Sequence, residues 1–204
     1  IINLDNTEDN KAFCEEDKPL IRHLSTQIEI AVRNARLIEK ILFLSRHDSL
    51  TGIYNRYYFE ELLMHTLQTC KANASVFSLV LMDINDLKNV NDTYGHEAGD
   101  LLLRKYVQGV SENILVDDTF ARHGGDEFAI IFKDTDITQA KNKINSIRQD
   151  FLNLPFTYCG KIITYISFGC GIVQFPTDGS EFQDLMKLVD IRMYEDKKET
   201  KKTC

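Results

Sequence analysis

An α+β domain is predicted, with a central sheet that contains antiparallel strands and is covered by helices, because short apolar runs alternate with longer amphipathic segments. Two apolar runs, at 119–122 and 127–132, are separated by a turn sequence with two glycines, which indicates an antiparallel hairpin. The run at 76–82 has the length and apolar content of a buried strand. After Asp48 the predicted order is helix, strand, helix, strand, strand, helix, strand, helix, which contains a βαββαβ arrangement.

Amphipathic helices are predicted beside these strands, because apolar residues recur at spacings of three and four. The first helix begins after Asn55, whose side chain can cap it, and a second follows Gly99. A third helix precedes further strands within 161–174, and a fourth lies near the end of the chain. In chain order, the apolar faces of the four helices are Phe59, Leu62, Leu63 and Leu67; Leu102, Leu103, Tyr106, Val107 and Val110; Ile137, Ala140, Ile144, Ile147 and Phe151; and Leu185, Met186, Val189 and Met193.

A long N-terminal helix is predicted from Pro19 onwards, after a polar, loop-like segment at 1–18. Its small and apolar residues recur at alternating spacings of four and three, which is the pattern of a heptad seam. A parallel pair of helices and a helix packed on its own domain both explain this pattern, because two alanines in the seam weaken coiled-coil packing. The seam comprises Leu24, Ile28, Ala31, Ala35, Ile38 and Leu42, and a second stripe comprises Ile30, Leu37, Ile41 and Leu44.

The composition argues against several classes of protein. The formal net charge of the 204 residues is −7, which is unlike a nucleic-acid surface because phosphate backbones are bound mainly by clustered Lys and Arg. Five cysteines are scattered without a C-x-x-C pair, so we expect a reducing, cytoplasmic location and no structural zinc. No apolar run reaches the roughly 18 residues of a transmembrane helix, so we expect no membrane span in this chain.

Three carboxylates are expected to converge at one edge of the sheet. Asp83 ends the strand at 76–82, and the adjacent acids Asp126 and Glu127 follow the two glycines of the hairpin. If the two strands are neighbours, like charges this close need a cation, and oxygen ligands without His or Cys favour Mg²⁺. A solvated acidic turn is the commoner explanation of any single Asp-Glu pair, so the metal hypothesis depends on the combination.

Three segments occur in an order and spacing that point to one family. They are DSLTGIYNR at 48–56, DINDLKNVNDTYGHEAGD at 83–100 and RHGGDEF at 122–128. Together they resemble the GGDEF domain of diguanylate cyclases, over roughly 48–201. The resemblance implies a fold of the nucleotidyl cyclase, palm-like kind. It also implies an enzyme that condenses two GTP molecules into cyclic di-GMP across a homodimer and releases two pyrophosphates.

The resemblance further implies a metal site. Asp83, Asp126 and the backbone carbonyl of Ile84 look like ligands of two Mg²⁺ ions, with Mn²⁺ as an alternative, and Glu127 is a further candidate ligand. Two metals polarise an α-phosphate and lower the pKa of an attacking ribose 3'-hydroxyl. Asp126 or Glu127 would receive the hydroxyl proton, and the sequence does not choose between them. Lys88 is expected to assist catalysis at the triphosphate.

Substrate contacts are implied at matching positions. Asn91 and Asp100 resemble the pair that binds guanine, because a carboxylate accepts from the ring N–H and the amino group while an amide both donates and accepts. Gly124 and Gly125 would let the nucleotide lie against the backbone, although a hairpin turn alone also explains two glycines. The remaining implied contacts are His96 beside the nucleotide and Lys88, Lys197 and Lys201 at the triphosphate.

The chain departs from the family pattern at several positions. Asn85 and Leu87 stand where a second acid and an aromatic residue are frequent, and Lys201 stands where an arginine is common. The product-inhibition motif Arg-x-x-Asp keeps its aspartate as Asp118, but Leu115 replaces its arginine. An apolar side chain supplies neither charge nor donors to an anionic dinucleotide, so we expect weak product feedback.

Residues 1–47 bear a weaker resemblance to the end of a GAF sensor domain that runs into a signalling helix, mainly through QIEIAVRNARLIEK at 27–40. The predicted organisation is therefore the tail of a GAF-like input domain at 1–47, with an upstream sensor, and a GGDEF domain at 48–204. The rival hypothesis is a non-catalytic receptor for GTP or cyclic di-GMP. The retained acids and Lys88 argue against it, because a decayed site would be expected to lose one of them.

Overall fold

The computed structural model describes residues 15–153 and 155–203. The side chains of residue 16 and of residues 200–203 lie outside this description, which includes the side chain of the predicted phosphate contact Lys201. The chain divides into two compact units, one that ends at Ser45 and one from Arg46 onwards.

A long helix forms most of the described part of the first unit, as the sequence predicts. Of the predicted loop at 1–18, residues 1–14 lie outside the description, and Glu15–Asp17 form a short 3₁₀ helix that leads into α1, Lys18–Arg46. No described side chain of α1 is buried, and about half of the surface of Leu24 and Ile28 is exposed. Within the described residues, no helix combines the length and the hydropathy that a membrane crossing requires.

The second unit contains seven strands and five helices among its described residues. In chain order they are β1 Tyr54–Asn55, α2 Arg56–Asn73, β2 Phe77–Ile84, α3 Leu87–Tyr94, α4 His96–Ser111, β3 Thr119–Arg122, β4 Glu127–Lys133, α5 Ile137–Asn153, β5 Pro155–Tyr158, β6 Lys161–Tyr165, β7 Phe168–Phe175 and α6 Phe182–Thr203.

The central sheet has the strand order β1-β3-β4-β2-β7. Its pairs are antiparallel except for β1 with β3. Strand β2 lies between β4 and β7 and is buried along its whole length, as expected for a mainly apolar run, and its polar residues are Ser78 and Asp83. The α+β class and the βαββαβ arrangement are confirmed, the latter by β2, α4, β3, β4, α5 and β7 in that order.

Each face of the sheet packs against its own apolar core, because successive side chains of a strand point to opposite faces. Leu79 and Leu81 of β2 belong to the core that contains the apolar residues of α2 and α6. Val80 and Met82 belong to the core that contains those of α4 and α5. Asp83 has the same parity as Leu81, so its side chain projects on the α2 and α6 side.

Three elements of the second unit were not predicted from the sequence: β1, α3 and β5. Strands β5 and β6 form a separate two-stranded sheet, so the region predicted as strands within 161–174 divides between that hairpin and the edge strand β7. The hairpin turns at Cys159 and Gly160, which both have positive φ. The helix predicted to follow Gly99 instead begins at His96 and contains Gly99.

Candidate active site

Asp83 and Glu127 lie opposite each other in neighbouring strands. The antiparallel register pairs Asp83 of β2 with Glu127 of β4 on one side and with Gly169 of β7 on the other. Side chains paired in this way share one face of the sheet, so both carboxylates project on the α6 side. Only 12% of the Asp83 side chain is exposed, whereas 45% of the Glu127 side chain is.

The hairpin loop brings the third acid to the same end of the sheet. The N–H of Ile84 donates to the carbonyl oxygen of Asp126 at 3.0 Å, which ties the loop to the end of β2. The N–H of His123 donates to the carbonyl oxygen of Glu127 at 2.8 Å and closes the turn. The structure therefore brings together Asp83, Ile84, Asp126 and Glu127, the four residues predicted as metal ligands.

The two glycines of the hairpin differ from ordinary turn glycines. Neither Gly124 nor Gly125 has φ in the left-handed region. A Cβ built on Gly125 would meet no atom within 4 Å, and one built on Gly124 would lie 3.1 Å from Glu127 Oε2. The fold of the hairpin therefore does not require glycine at position 125, and open space lies above that stretch of backbone.

Lys197 of α6 forms an ion pair with Asp83. Of the three lysines predicted at the triphosphate, Lys197 is thus bonded to a predicted metal ligand. Lys88 is exposed on α3, and the side chain of Lys201 lies outside the described residues.

The oxygen donors at this end of the sheet suit a hard cation such as Mg²⁺ in their chemistry. The set comprises carboxylates and a backbone carbonyl, without His or Cys. Among the described residues, no group of three or more His, Cys, Asp and Glu side chains is already gathered around one point. Asp83 is held by Lys197, and Asp126 and Glu127 are only partly buried, so binding of a cation by all three would require these side chains to reorient.

The predicted guanine-binding residues lie on two helices that pack closely. Asn91 is on α3 and Asp100 is on α4, and both are partly buried. A Cβ built on Gly99 would overlap Oδ1 and Cγ of Asn91, so Gly99 makes room for the Asn91 amide next to Asp100. Gly95 separates the two helices and has a φ of +87°, a value that residues with a side chain rarely adopt. His96, at the start of α4, is exposed.

Sequence reasoning missed the residues that hold the hairpin loop in place. Asp48 Oδ1 accepts hydrogen bonds from the N–H of Thr51 at 2.9 Å and from Arg122 Nη1 at 3.1 Å. Arg122 also donates to the carbonyl oxygen of Gly125 through Nη2 at 2.7 Å. Asp48 and Arg122 both stand inside the quoted motifs, so the signal was present, but the contact between them requires the fold.

Electrostatics agree with a charged Asp48. Burial raises the pKa of Asp48, but the hydrogen bonds from Thr51 and the neighbouring Arg122 guanidinium outweigh burial, so its pKa lies below the ordinary value. For His123, burial is the main cause of a lowered pKa, and the positive charge of Arg56 adds to it. His123 also lies near Glu127, with 3.8 Å between Nδ1 and Oε2.

This α+β fold, with the three motifs at one end of its sheet, is that of a known family of domains. Residues 45–203 match the family described as "Diguanylate cyclase, GGDEF domain". The chain therefore belongs to the GGDEF family.

Several characterised proteins are similar to this chain. Diguanylate cyclase A of Treponema denticola is 28% identical over 193 residues, which are 93% of this chain and 51% of that protein. The response regulator PleD of Caulobacter vibrioides is 28% identical over 184 residues, 86% of this chain and 40% of PleD. The chain thus spans about half or less of the length of these relatives.

Solved structures share the fold. A structure of the coiled coil and GGDEF domain of DgcB from Caulobacter crescentus, in complex with c-di-GMP, has a TM-score of 0.78 and 22% identity, covering 88% of this chain and 94% of that one. The GGDEF domain of TpbB (YfiN) from Pseudomonas aeruginosa has a TM-score of 0.71 and 28% identity, covering 76% of this chain and 90% of that one.

Proposed function

We propose that this chain is a diguanylate cyclase that condenses two GTP molecules into cyclic di-GMP and releases two pyrophosphates. The observation that carries the proposal is the open space above the backbone of Gly125, a position where the hairpin itself does not require glycine. This space lies beside three carboxylates, which come from β2, from β4 and from the loop between β3 and β4. An open glycine beside acids suits a phosphate-bearing ligand that approaches the backbone together with a divalent cation.

Two Mg²⁺ ions, or Mn²⁺, would be held by Asp83, Asp126, Glu127 and the carbonyl of Ile84. When bound, such ions polarise the α-phosphate and lower the pKa of the attacking 3'-hydroxyl. Asp126 or Glu127 would accept the hydroxyl proton, because both carboxylates lie at the loop and are partly exposed to an incoming substrate.

GTP would be oriented by residues on three helices. The Asp100 carboxylate would accept from the guanine ring N–H and amino group, and the Asn91 amide, held against Gly99, would bind the adjacent base edge. His96 would lie beside the nucleotide. Lys88, Lys197 and Lys201 would contact the triphosphate.

Catalysis would need two copies of the chain, because each bound GTP supplies one attacking hydroxyl and one α-phosphate. The exposed apolar seam of α1 suits pairing with a second copy, and its helix is about 43 Å long at 1.5 Å per residue. We further propose that 1–47 forms the tail of a GAF-like input domain and that 48–204 is the catalytic domain. The protein would work in the cytoplasm, where a sensor domain upstream in the sequence would control it.

The test is incubation of the 204-residue chain with GTP and Mg²⁺, followed by chromatography of the products. We expect cyclic di-GMP and pyrophosphate from the native chain, and neither from Asp126→Asn, which removes a charge from a partly exposed site without opening a cavity. Binding of GTP or cyclic di-GMP without turnover would contradict the proposal and would instead support the non-catalytic receptor.

A further inference from the structure

We infer that Lys197 is a tethered counter-ion that occupies the place of a divalent cation at Asp83 and must leave before the metal can bind. The inference rests on the proposed function, since it takes Asp83 to be a metal ligand. It gives Lys197 a role beyond a phosphate contact: the same ammonium group is exchanged between a carboxylate and the substrate.

The first support is the burial of the ion pair. Only 12% of the Asp83 side chain and 24% of the Lys197 side chain are exposed, so water screens this pair less than it screens a surface pair. A charged carboxylate in such surroundings is costly without a partner of opposite charge. In the absence of metal, Lys197 is a partner that the chain itself provides.

The second support is the absence of a side chain between them. Gly169 of β7 is the register partner of Asp83, and it lies under the stem of Lys197. A Cβ built on Gly169 would lie 2.9 Å from Lys197 Cβ and 3.1 Å from its Cα. Glycine at this position therefore lets α6 approach β7 closely enough for Lys197 to extend across the strand to Asp83.

The third support is charge balance. Asp83 and Glu127 are cross-strand partners on one face, and like charges placed opposite each other destabilise a sheet. Either an ammonium group or a divalent cation relieves this repulsion. An ammonium group and a divalent cation at the same carboxylate repel each other, so each weakens the binding of the other, and only 12% of the Asp83 side chain is exposed. Metal binding and the Lys197 ion pair are therefore in competition.

A coupling between metal and nucleotide follows from this competition. Once displaced, the Lys197 ammonium on its flexible stem is available to a triphosphate. The metal alone must displace the lysine without compensation, whereas metal and nucleotide together give the lysine a new anionic partner. Binding of either one should therefore favour the other.

The test measures Mn²⁺ binding to the 204-residue chain without nucleotide, by electron paramagnetic resonance of free Mn²⁺. We expect Lys197→Met to bind Mn²⁺ about tenfold more tightly than the native chain, since the competitor has been removed. Lys198→Met is the matched control: it removes the same charge from the neighbouring position, where Lys198 lies over the Tyr194 ring and not at Asp83. We expect a much smaller change in the control.

Thermal unfolding gives a second measurement that does not depend on the free ion. Added Mn²⁺ should raise the melting temperature of Lys197→Met more than that of the native chain. Equal Mn²⁺ affinities for the two lysine variants would overturn the counter-ion role and leave the proposed function standing. If no variant binds Mn²⁺, or if Asp83→Asn binds it as well as the native chain, the metal assignment within the proposed function fails together with the inference.

Discussion

Arg122 connects Asp48 to the GGDEF hairpin: its Nη1 lies 3.1 Å from Asp48 Oδ1, while its Nε and Nη2 donate to the carbonyl oxygen of Gly125 at 3.1 and 2.7 Å. One planar guanidinium therefore fixes the first motif of the domain to the loop that presents Asp126. Gly125 itself has no side chain to pack, so the bonds from Arg122 restrain the loop through its backbone, together with the bond from the Ile84 N–H to the carbonyl oxygen of Asp126.

Replacing Arg122 with lysine tests that restraint. A lysine keeps the positive charge beside Asp48 but cannot make the same forked set of bonds. We expect Arg122→Lys to lower the initial rate of cyclic di-GMP formation about 10- to 100-fold, because small displacements of catalytic groups are costly. Arg56→Lys, at a surface pair with Glu60, is the control. A rate equal to that of the control would show that the loop is ordered by other contacts.

The pair of Asp178 and Arg192 predicts a pH dependence of stability. Arg192 donates to both carboxylate oxygens of Asp178, at 2.9 and 2.8 Å, and to the carbonyl oxygen of Ile172 in the edge strand at 2.7 Å. These hydrogen bonds lower the pKa of Asp178 in spite of a smaller opposing effect of burial. Its folded pKa thus lies below the unfolded value of 3.8, and the stabilisation is complete above that value and is lost as the pH falls through the folded pKa.

We therefore expect Asp178→Asn to lower the free energy of unfolding by about 1 to 2 kcal/mol at pH 7. The difference from the native chain should shrink as the pH falls below about 4. Urea unfolding at several pH values measures it, with the exposed Asp150→Asn as the control. A difference that stays constant down to strongly acidic pH would contradict the assigned charge of Asp178.

Gly125→Ala separates the structural from the functional reason for glycine. The φ of Gly125 is outside the left-handed region and its Cβ position is empty, so the variant should unfold within about 0.5 kcal/mol of the native chain. We expect GTP binding and turnover to fall at least about tenfold, because the added methyl group occupies the surface proposed for the nucleotide. Thermal melts and GTP titration measure the two effects. Normal GTP binding by a stable variant would show that the nucleotide does not lie against the backbone of Gly125.

Gly99→Ala tests how Asn91 is positioned. The new Cβ would overlap the Asn91 amide and push it from its place beside Asp100. We expect the preference for GTP over ATP to weaken by about 1 to 3 kcal/mol, because the contact of the Asn91 amide with the guanine edge is lost. Affinities for both nucleotides measure the preference, and Glu97→Ala on the exposed surface of the same helix is the control. An equal loss for both nucleotides would mean that α3 and α4 moved as a whole.

The elements that the sequence predicted are those with a strong local pattern. The hairpin of β3 and β4 was predicted because two apolar runs flank a pair of glycines, and β2 because its run is mainly apolar and has the length of a strand. Helix α3 was missed because only Leu87 and Val90 are buried in it, which is too few for a visible period. Strand β1 has two residues, and no periodicity can be detected over that length.

The candidate site also contains parts that the sequence predicts and parts that only the fold reveals. The acids Asp83, Asp126 and Glu127 stand in motifs that can be recognised along the chain. The ion pair of Lys197 with Asp83 joins residues 114 positions apart and depends on the register that places Gly169 between them. No local pattern encodes such a contact, because it arises only after β7 pairs with β2 and α6 packs over both.

The residues at the positions of the product-inhibition motif do not form a preformed anion-binding site. Asp118 accepts hydrogen bonds from the N–H of Leu115 at 3.0 Å and from the N–H of Lys133 at 3.3 Å, and it forms an ion pair with Lys143 at 3.3 Å. Only 2% of the Asp118 side chain is exposed. The aspartate that would bind product is thus already engaged in holding its own loop, and the side chain of Leu115 is 66% exposed.

We therefore expect micromolar cyclic di-GMP to slow GTP turnover only weakly in the native chain. Leu115→Arg should introduce inhibition, because an exposed arginine next to Asp118 offers a forked donor to guanine and phosphate groups. Leu115→Lys is the matched control, since it adds the same charge without the fork. Initial rates over a titration of product decide the matter. Strong inhibition of the native chain at low micromolar product would show that Lys133, Lys143 or a second copy of the chain supplies the cation that Leu115 lacks.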